Sequence, residues 1–425
     1  MTGRKKYYRK KTNTRYLVVM LALLLLMSKG LAAQNDANVQ FDCKLYSFVH
    51  EERNELVGAH ALDSFFHKLY LQKTKNQSQI NIVHVGDSHI QADLLTSQMR
   101  NNFQNDFGNA GRGLIVPLRV ARTNEPFNYK TSSNIKWVSK RCVFPDNPLP
   151  IGVGGVTIQT DDDSATLTIK MASSTGNKYD FNKLTLFYQK DSSFDFVIED
   201  TTYTTIGSIN HKAASEFPYT STALLANRTN QVIISTVKAD GSQNNATIYG
   251  INLENGNSGV LYHAIGVNGA EAFQYARASY FAQQTSALHP GLIILSFGTN
   301  EAQHKPFDSA LTESRIDSLV KQLKAANPST AIILTTPPDS YYHKKYYNTG
   351  VGSVHKVIVD YAKANGLAVW DLYSITGGYK SCYQWKKYRL MQPDGVHFNK
   401  QGYELQANLL YAAIIKAYNK YVSNH

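Results

Sequence analysis

At 425 residues the chain is too long for one ordinary core and long enough for two or three, at about 100–200 residues per domain. A composition that is 43% hydrophobic, 18% charged and 11% aromatic excludes a disordered or low-complexity chain. The formal charge of +12 does not mark a nucleic-acid binder: eight basic side chains and no acid fall within residues 1–33, and beyond them 36 basic residues face 32 acids, a balance of +4.

Those first residues read as a signal peptide, 1–33. A basic stretch (Arg4 to Arg15) leads into an apolar run at 16–27, followed by the small residues Gly30, Ala32 and Ala33. Twelve apolar residues fall short of the ~20 that span a bilayer. The expectation is export to the periplasm, the cell surface or the medium, with a mature chain beginning near Gln34; an uncleaved, tilted anchor is the alternative. Cys43 lies too far beyond the small residues for lipoprotein-type modification, and no later segment reads as a membrane span. Cys43, Cys142 and Cys382 are too few for a disulfide framework and too scattered for zinc; one pair could close and leave one thiol over.

From residue 78 an apolar strand is expected at 80–85, then a Gly86 turn and a helix over 92–103 with Leu94, Leu95, Gln98 and Met99 at helical intervals. Residues 121–254 change texture. Short alternating runs at 165–170, 184–188, 194–198 and 231–235, separated by turn residues, predict an antiparallel β-sandwich. The α/β pattern then resumes, with strands at 260–265, 292–297, 331–335 and 367–371 and helices at 270–287, 308–326, 353–365 and 400–421. Apolar strands alternating with helices imply a doubly wound α/β fold with a parallel sheet covered on both faces. The division is therefore 34–120 and 255–425 for the α/β domain and 121–254 for the sandwich insert.

Three polar segments follow strands or precede the last helix: Gly86-Asp87-Ser88-His89, Gly298-Thr299-Asn300-Glu301 and Asp394-Gly395-Val396-His397. A serine, a histidine to take its proton, an acid to orient that histidine and donors for an oxyanion are what nucleophilic acyl transfer needs. Each segment alone also reads as a turn or a helix cap. Their conjunction in one order is what points to a site. No Gly-x-Ser-x-Gly elbow is present, which disfavours the ordinary α/β-hydrolase layout.

The set resembles the GDSL/SGNH hydrolases, whose blocks are a Gly-Asp-Ser nucleophile, an isolated glycine, a Gly-x-Asn and a late Asp-x-x-His. The resemblance implies Ser88 as nucleophile, His397 as base and Asp394 as its orienting acid. It implies an oxyanion hole from the N–H groups of Ser88 and Gly269 with the Asn300 amide; Gly266 competes with Gly269. His89 stands in place of the family's leucine and Glu301 in place of the frequent aspartate. Both occur in the branch resembling peptidoglycan O-acetylesterases, which also carries an inserted, carbohydrate-binding-like sandwich. The 108–113 stretch (Gly-Asn-Ala-Gly-Arg-Gly) is similar to that branch as well.

The implied function is an exported serine esterase removing O-acetyl groups from a polysaccharide, foremost peptidoglycan. Alternatives are an acetylesterase or acetyltransferase for another glycan, such as xylan or a capsule polymer, or a glycan-binding protein without activity. No cofactor, metal or nucleic acid is expected, and the oligomeric state is left open. His84, His89 and Asp87 are expected to be structural, Glu301 to brace its loop, and Tyr341, Tyr342, Tyr346 and Tyr347 to belong to a partly buried loop. The insert aromatics Phe187, Tyr188, Tyr203, Phe217 and Tyr219 are expected to be mostly core.

Overall fold

The computed structural model describes Gly3 and residues 45–76, 78–144, 149–172 and 178–424. The stretch 1–33 expected to be a signal peptide, apart from Gly3, and Cys43 lie outside the described residues. A six-stranded sheet forms the centre of the α/β part: β1 (Leu56–Val57), β2 (Gln79–Gly86), β3 (Gly259–Gly266), β4 (Pro290–Ser296), β5 (Ala331–Thr335) and β6 (Ala368–Trp370). Their spatial order is β1-β6-β5-β4-β2-β3. Every pair is parallel except β1 against β6. β3, β4 and β5 are buried almost throughout, the pattern of strands covered on both faces.

Two helix groups supply the cover. Helices α1 (Asp63–Lys75), α3 (Leu94–Phe107) and α6 (Lys400–Ser423) pack together through rings, with Phe103 edge-on to Tyr411 and Phe107 edge-on to Tyr418. In the second group, Ile316 and Leu319 of α4 (Ser309–Ala326) and Ile358 of α5 (Thr349–Ala364) meet Leu295 of β4 and Leu334 of β5. Between α3 and the end of β2 lies a single helical turn, α2 (Ser88–Gln91), set off by Asp93 in a left-handed conformation (φ 51°). The helix expected at 270–287 is in fact broken into Ala272–Ala276, Phe281–Thr285 and a 3₁₀ turn at Ser286–Leu288. At the interruption the Tyr280 N–H leaves the helical register to donate to the carbonyl of Ile151, distant in sequence, at 2.9 Å.

The intervening segment forms two antiparallel sheets. One has Thr205–Ile209, Asp195–Glu199, Gln231–Val237, Thr166–Met171 and Tyr129–Ser133 in that order. The other has Thr220–Thr229, Phe181–Tyr188, Ala246–Glu254, Val156–Thr160 and Val138–Arg141. Tyr188 and Phe196 meet edge to face between the sheets at 5.5 Å. Gly111–Ile115, which precedes residue 121, also pairs with Ala246–Glu254. Phe187 and Tyr188 are core, as expected, but Tyr203 is 73% exposed and Phe217 and Tyr219 are only half-buried.

A charged cluster joins the two parts. The Asp93 carboxylate accepts from Arg100 Nη2 (2.9 Å), Arg112 Nη2 (2.7 Å) and Asn128 Nδ2 (2.6 Å), and both arginines are fully buried. Burial pushes the Asp93 carboxyl up, but the two guanidinium groups outweigh it and hold it at about 2. Two cations against one anion leave an excess positive charge. Ring faces meet it: Tyr179 and Tyr262 lie 5.9 Å from Arg100, and Tyr129 lies 5.4 Å from Arg112. Cys142 and Cys382 are both buried free thiols, so they are not paired to each other.

Candidate active site

In an open parallel sheet, ligands bind beyond the C-terminal strand ends where the connections reverse direction. Here the chain leaves β2 for β3 on one side and then crosses back to β4 on the other. Ser88 follows β2, Gly269 follows β3 and Asn300 follows β4, so all three stand at that switch point.

Ser88 opens α2, and Asp87 caps the turn by accepting the His89 N–H at 2.9 Å. The first N–H of a helix has no intrahelical acceptor, which leaves the Ser88 amide available. From the loop before α6, His397 Nε2 lies 2.8 Å from Ser88 Oγ and His397 Nδ1 lies 2.7 Å from Asp394 Oδ2. The other Asp394 oxygen accepts the N–H groups of Val396 (2.9 Å) and His397 (3.0 Å). Burial alone would raise the Asp394 carboxyl; the His397 ring and these two N–H groups bring it below its ordinary value. Both side chains of the pair are about one-third exposed, so a solute can reach them.

Asn300 draws the neighbouring loops together. Its Nδ2 donates to the Ala270 carbonyl at 2.9 Å and toward Asp87 Oδ2 at 3.3 Å, tying the residue after Gly269 to the residue before Ser88. The longer of these bonds is the one a bound oxyanion can replace. Gly269 is exposed, has φ +81° and would meet nothing with an added Cβ, and its N–H has no acceptor among the described residues. Gly266, the competing position, is buried in the sheet: a Cβ there would come within 2.1 Å of the Gln91 nitrogen. It serves packing of β3 against α2.

The neighbours are structural. Burial pushes His84 down to about 3, and its ring bridges Tyr262 Oη (2.7 Å) and Ser296 Oγ (2.6 Å). Burial likewise lowers His89 to about 3, so it stays neutral beneath His397, with ring centroids 5.1 Å apart and Nδ1 on Tyr403 Oη. Glu301 braces its loop, accepting the N–H groups of Ala272 (3.1 Å) and Gly298 (2.9 Å). The Asp87–Asn300 bond and the role of the Ala270 carbonyl carried no sequence signal, since they join three separate loops. Among the described residues no group of three or more His, Cys, Asp or Glu could hold a metal ion, and no helix is long and apolar enough to cross a membrane.

Burial raises two of these carboxyls: Asp87 to about 7 and Glu301 to about 8. The folded chain thus holds both protons through a window in which the unfolded chain, with carboxyls near 4, has lost them. Rising pH from about 4 to about 8 therefore costs stability through these groups. The double variant Asp87→Asn, Glu301→Gln is expected to lose that part of the dependence. Melting temperatures at pH 5 and pH 8 test this: the drop should be smaller in the variant, whatever its absolute stability.

An α/β sheet with serine, histidine and aspartate joined at its carboxyl edge is the arrangement of an acylhydrolase. Residues 235–405 match the sequence profile of the GDSL-like lipase/acylhydrolase family, a stretch that contains Gly269, Asn300, Asp394 and His397. A solved structure of a peptidoglycan O-acetylesterase aligns with 84% of this chain and 96% of its own, at TM-score 0.70 and 21% identity. Residues 235–405 thus carry a GDSL-like lipase/acylhydrolase domain, and the chain shares the fold of that solved structure. A lipase/acylhydrolase from Enterococcus faecalis aligns over 37% of this chain and 76% of its own (22% identity, TM-score 0.30). A GDSL-like lipase from Bacteroides thetaiotaomicron covers the same shares at 21% identity and TM-score 0.30. The comparison with curated proteins finds no match.

Proposed function

We propose that the protein is an exported serine esterase that removes O-acetyl groups from peptidoglycan. The observation that carries the chemistry is the single imidazole bonded on one side to Ser88 Oγ and on the other to Asp394. In this reading Asp394 holds the proton on Nδ1, leaving Nε2 to take the Ser88 proton as Oγ attacks the acetyl carbonyl. The N–H groups of Ser88 and Gly269 and the Asn300 amide receive the oxyanion. Collapse breaks the C–O bond to the sugar, whose oxygen takes the proton back from His397, and acetyl-Ser88 remains. Water then repeats the sequence and releases acetate.

A glycan substrate is supported by the sandwich set into the catalytic chain and by the likeness to a peptidoglycan O-acetylesterase that carries nearly its whole length. Export rests on the basic and apolar character of residues 1–33. The purified protein is expected to release acetate from O-acetylated peptidoglycan faster than from acetylated xylan. Equal or greater release from xylan would replace the substrate assignment, and no release from any acetyl ester would end the esterase reading.

A further inference from the structure

A tyrosine- and lysine-rich surface adjoins the loop that carries Asp394 and His397. Residues 341–347 and 378–389 together contain seven tyrosines, six Lys or Arg and no Asp or Glu. That density is far above the +4 balance of the chain beyond residue 33. The first segment is a two-stranded hairpin, Tyr341–Tyr342 against Tyr346–Tyr347. It is fastened to the catalytic loop by the Tyr341 N–H, which donates to the Gly395 carbonyl at 2.9 Å. The second segment is fastened to the same loop by Lys386 Nζ on the Pro393 carbonyl at 3.2 Å. Tyr347 and Tyr379 touch edge to face across the two, with centroids 6.2 Å apart.

The expectation of a partly buried loop holds for only half of the hairpin. Tyr341 and Tyr342 are half-buried, but Tyr346 is 57% exposed and Tyr347 is exposed too. Tyr379 and Tyr383 are about half exposed. The ammonium groups are interleaved with these rings: Lys380 Nζ lies 5.5 Å from the Tyr347 centroid and 5.3 Å from that of Tyr379, and Lys345 Nζ lies 5.2 Å from Tyr346. The acids tied to the surface do not neutralise it. Asp339 is buried and accepts the Cys382 N–H, and Asp394 is committed to His397.

We propose that this surface binds an acidic glycan strand and leads it to Ser88: tyrosine faces meet sugar rings while the lysines meet carboxylates along the polymer. The inference rests on the esterase reading for its purpose but not for its test. A neutral glycan would use the rings and gain nothing from six cations, whereas a carboxylated strand uses both. Charge attraction of this kind weakens as salt shortens its reach, to ~8 Å at physiological ionic strength.

The test uses the full-length Ser88→Ala protein, which binds without turnover, and insoluble peptidoglycan sacculi with their carboxylates either free or amidated. Sedimentation is expected to be at least tenfold stronger on the free-carboxylate sacculi and to fall in 0.5 M salt. The triple variant Lys344→Gln, Lys380→Gln, Lys387→Gln and the pair Tyr346→Ala, Tyr379→Ala should each weaken it by about tenfold. Equal binding to amidated sacculi, indifference to either set of substitutions, or stronger binding to phosphatidylglycerol vesicles or single-stranded DNA would overturn the proposal. A wild-type protein that releases no acetate but binds in this charge-dependent way would instead defeat the esterase reading alone.

Discussion

Ser88→Ala is expected to lower ester hydrolysis by about 10⁴- to 10⁶-fold while leaving the melting temperature nearly unchanged. Among the described residues the Ser88 side chain bonds only to His397 Nε2, so its loss removes the attacking oxygen without stranding another buried group. Asp394 keeps its bonds to the His397 ring and to two backbone N–H groups, which holds the loop in place. Activity on a chromogenic acetyl ester, followed beside thermal unfolding, checks both halves. A variant that keeps wild-type turnover would remove Ser88 from the reaction.

The largest stability effect is expected at Asp93, which follows the Ser88 turn but has no part in the proposed reaction. Asp93→Ala leaves Arg100 and Arg112 buried without their carboxylate, a change expected to cost about 3–5 kcal/mol. The Asn128 amide and the Thr96 hydroxyl lose their acceptor at the same time. A surface pair gives the contrast: Lys212 and Asp240 are 65% and 40% exposed, so Asp240→Ala should cost far less than Asp93→Ala. Urea unfolding of the two variants side by side measures the difference. Equal midpoints would show that the buried cluster contributes no more than the exposed pair.

Much of this architecture is legible in the sequence, for a physical reason. Strands covered on both faces are short continuous apolar runs, and 80–85, 292–297 and 331–335 each stand out as one. The Ser88, Asn300 and Asp394–His397 segments stand out because polar groups crowd where a plain turn would need only glycine or proline. What escapes the sequence is settled by contacts between distant segments. Nothing in the sequence pairs Arg100, or Arg112 of the 108–113 stretch, with Asp93; only the fold brings both to it. The break in the 270–287 helix comes where Tyr280 meets the Ile151 carbonyl, which belongs to another part of the chain. Exposure of aromatic residues is similarly hidden: Tyr188 and Tyr203 occur in the same β-rich texture, yet one is in the core and the other is at a loop tip.

The bond between His397 and Ser88 spans 309 positions of sequence. A ribosome moving at ~5–20 residues per second needs roughly 15–60 s to pass from one to the other. Throughout that interval the growing polypeptide carries its serine without the imidazole that would activate it. The flanking strands β3 and β4, and with them Gly269 and Asn300, also appear only after the sandwich segment has been made. Hydrolytic competence is therefore among the last properties the chain acquires during synthesis. An esterase built in this order is inert while it is still a nascent chain.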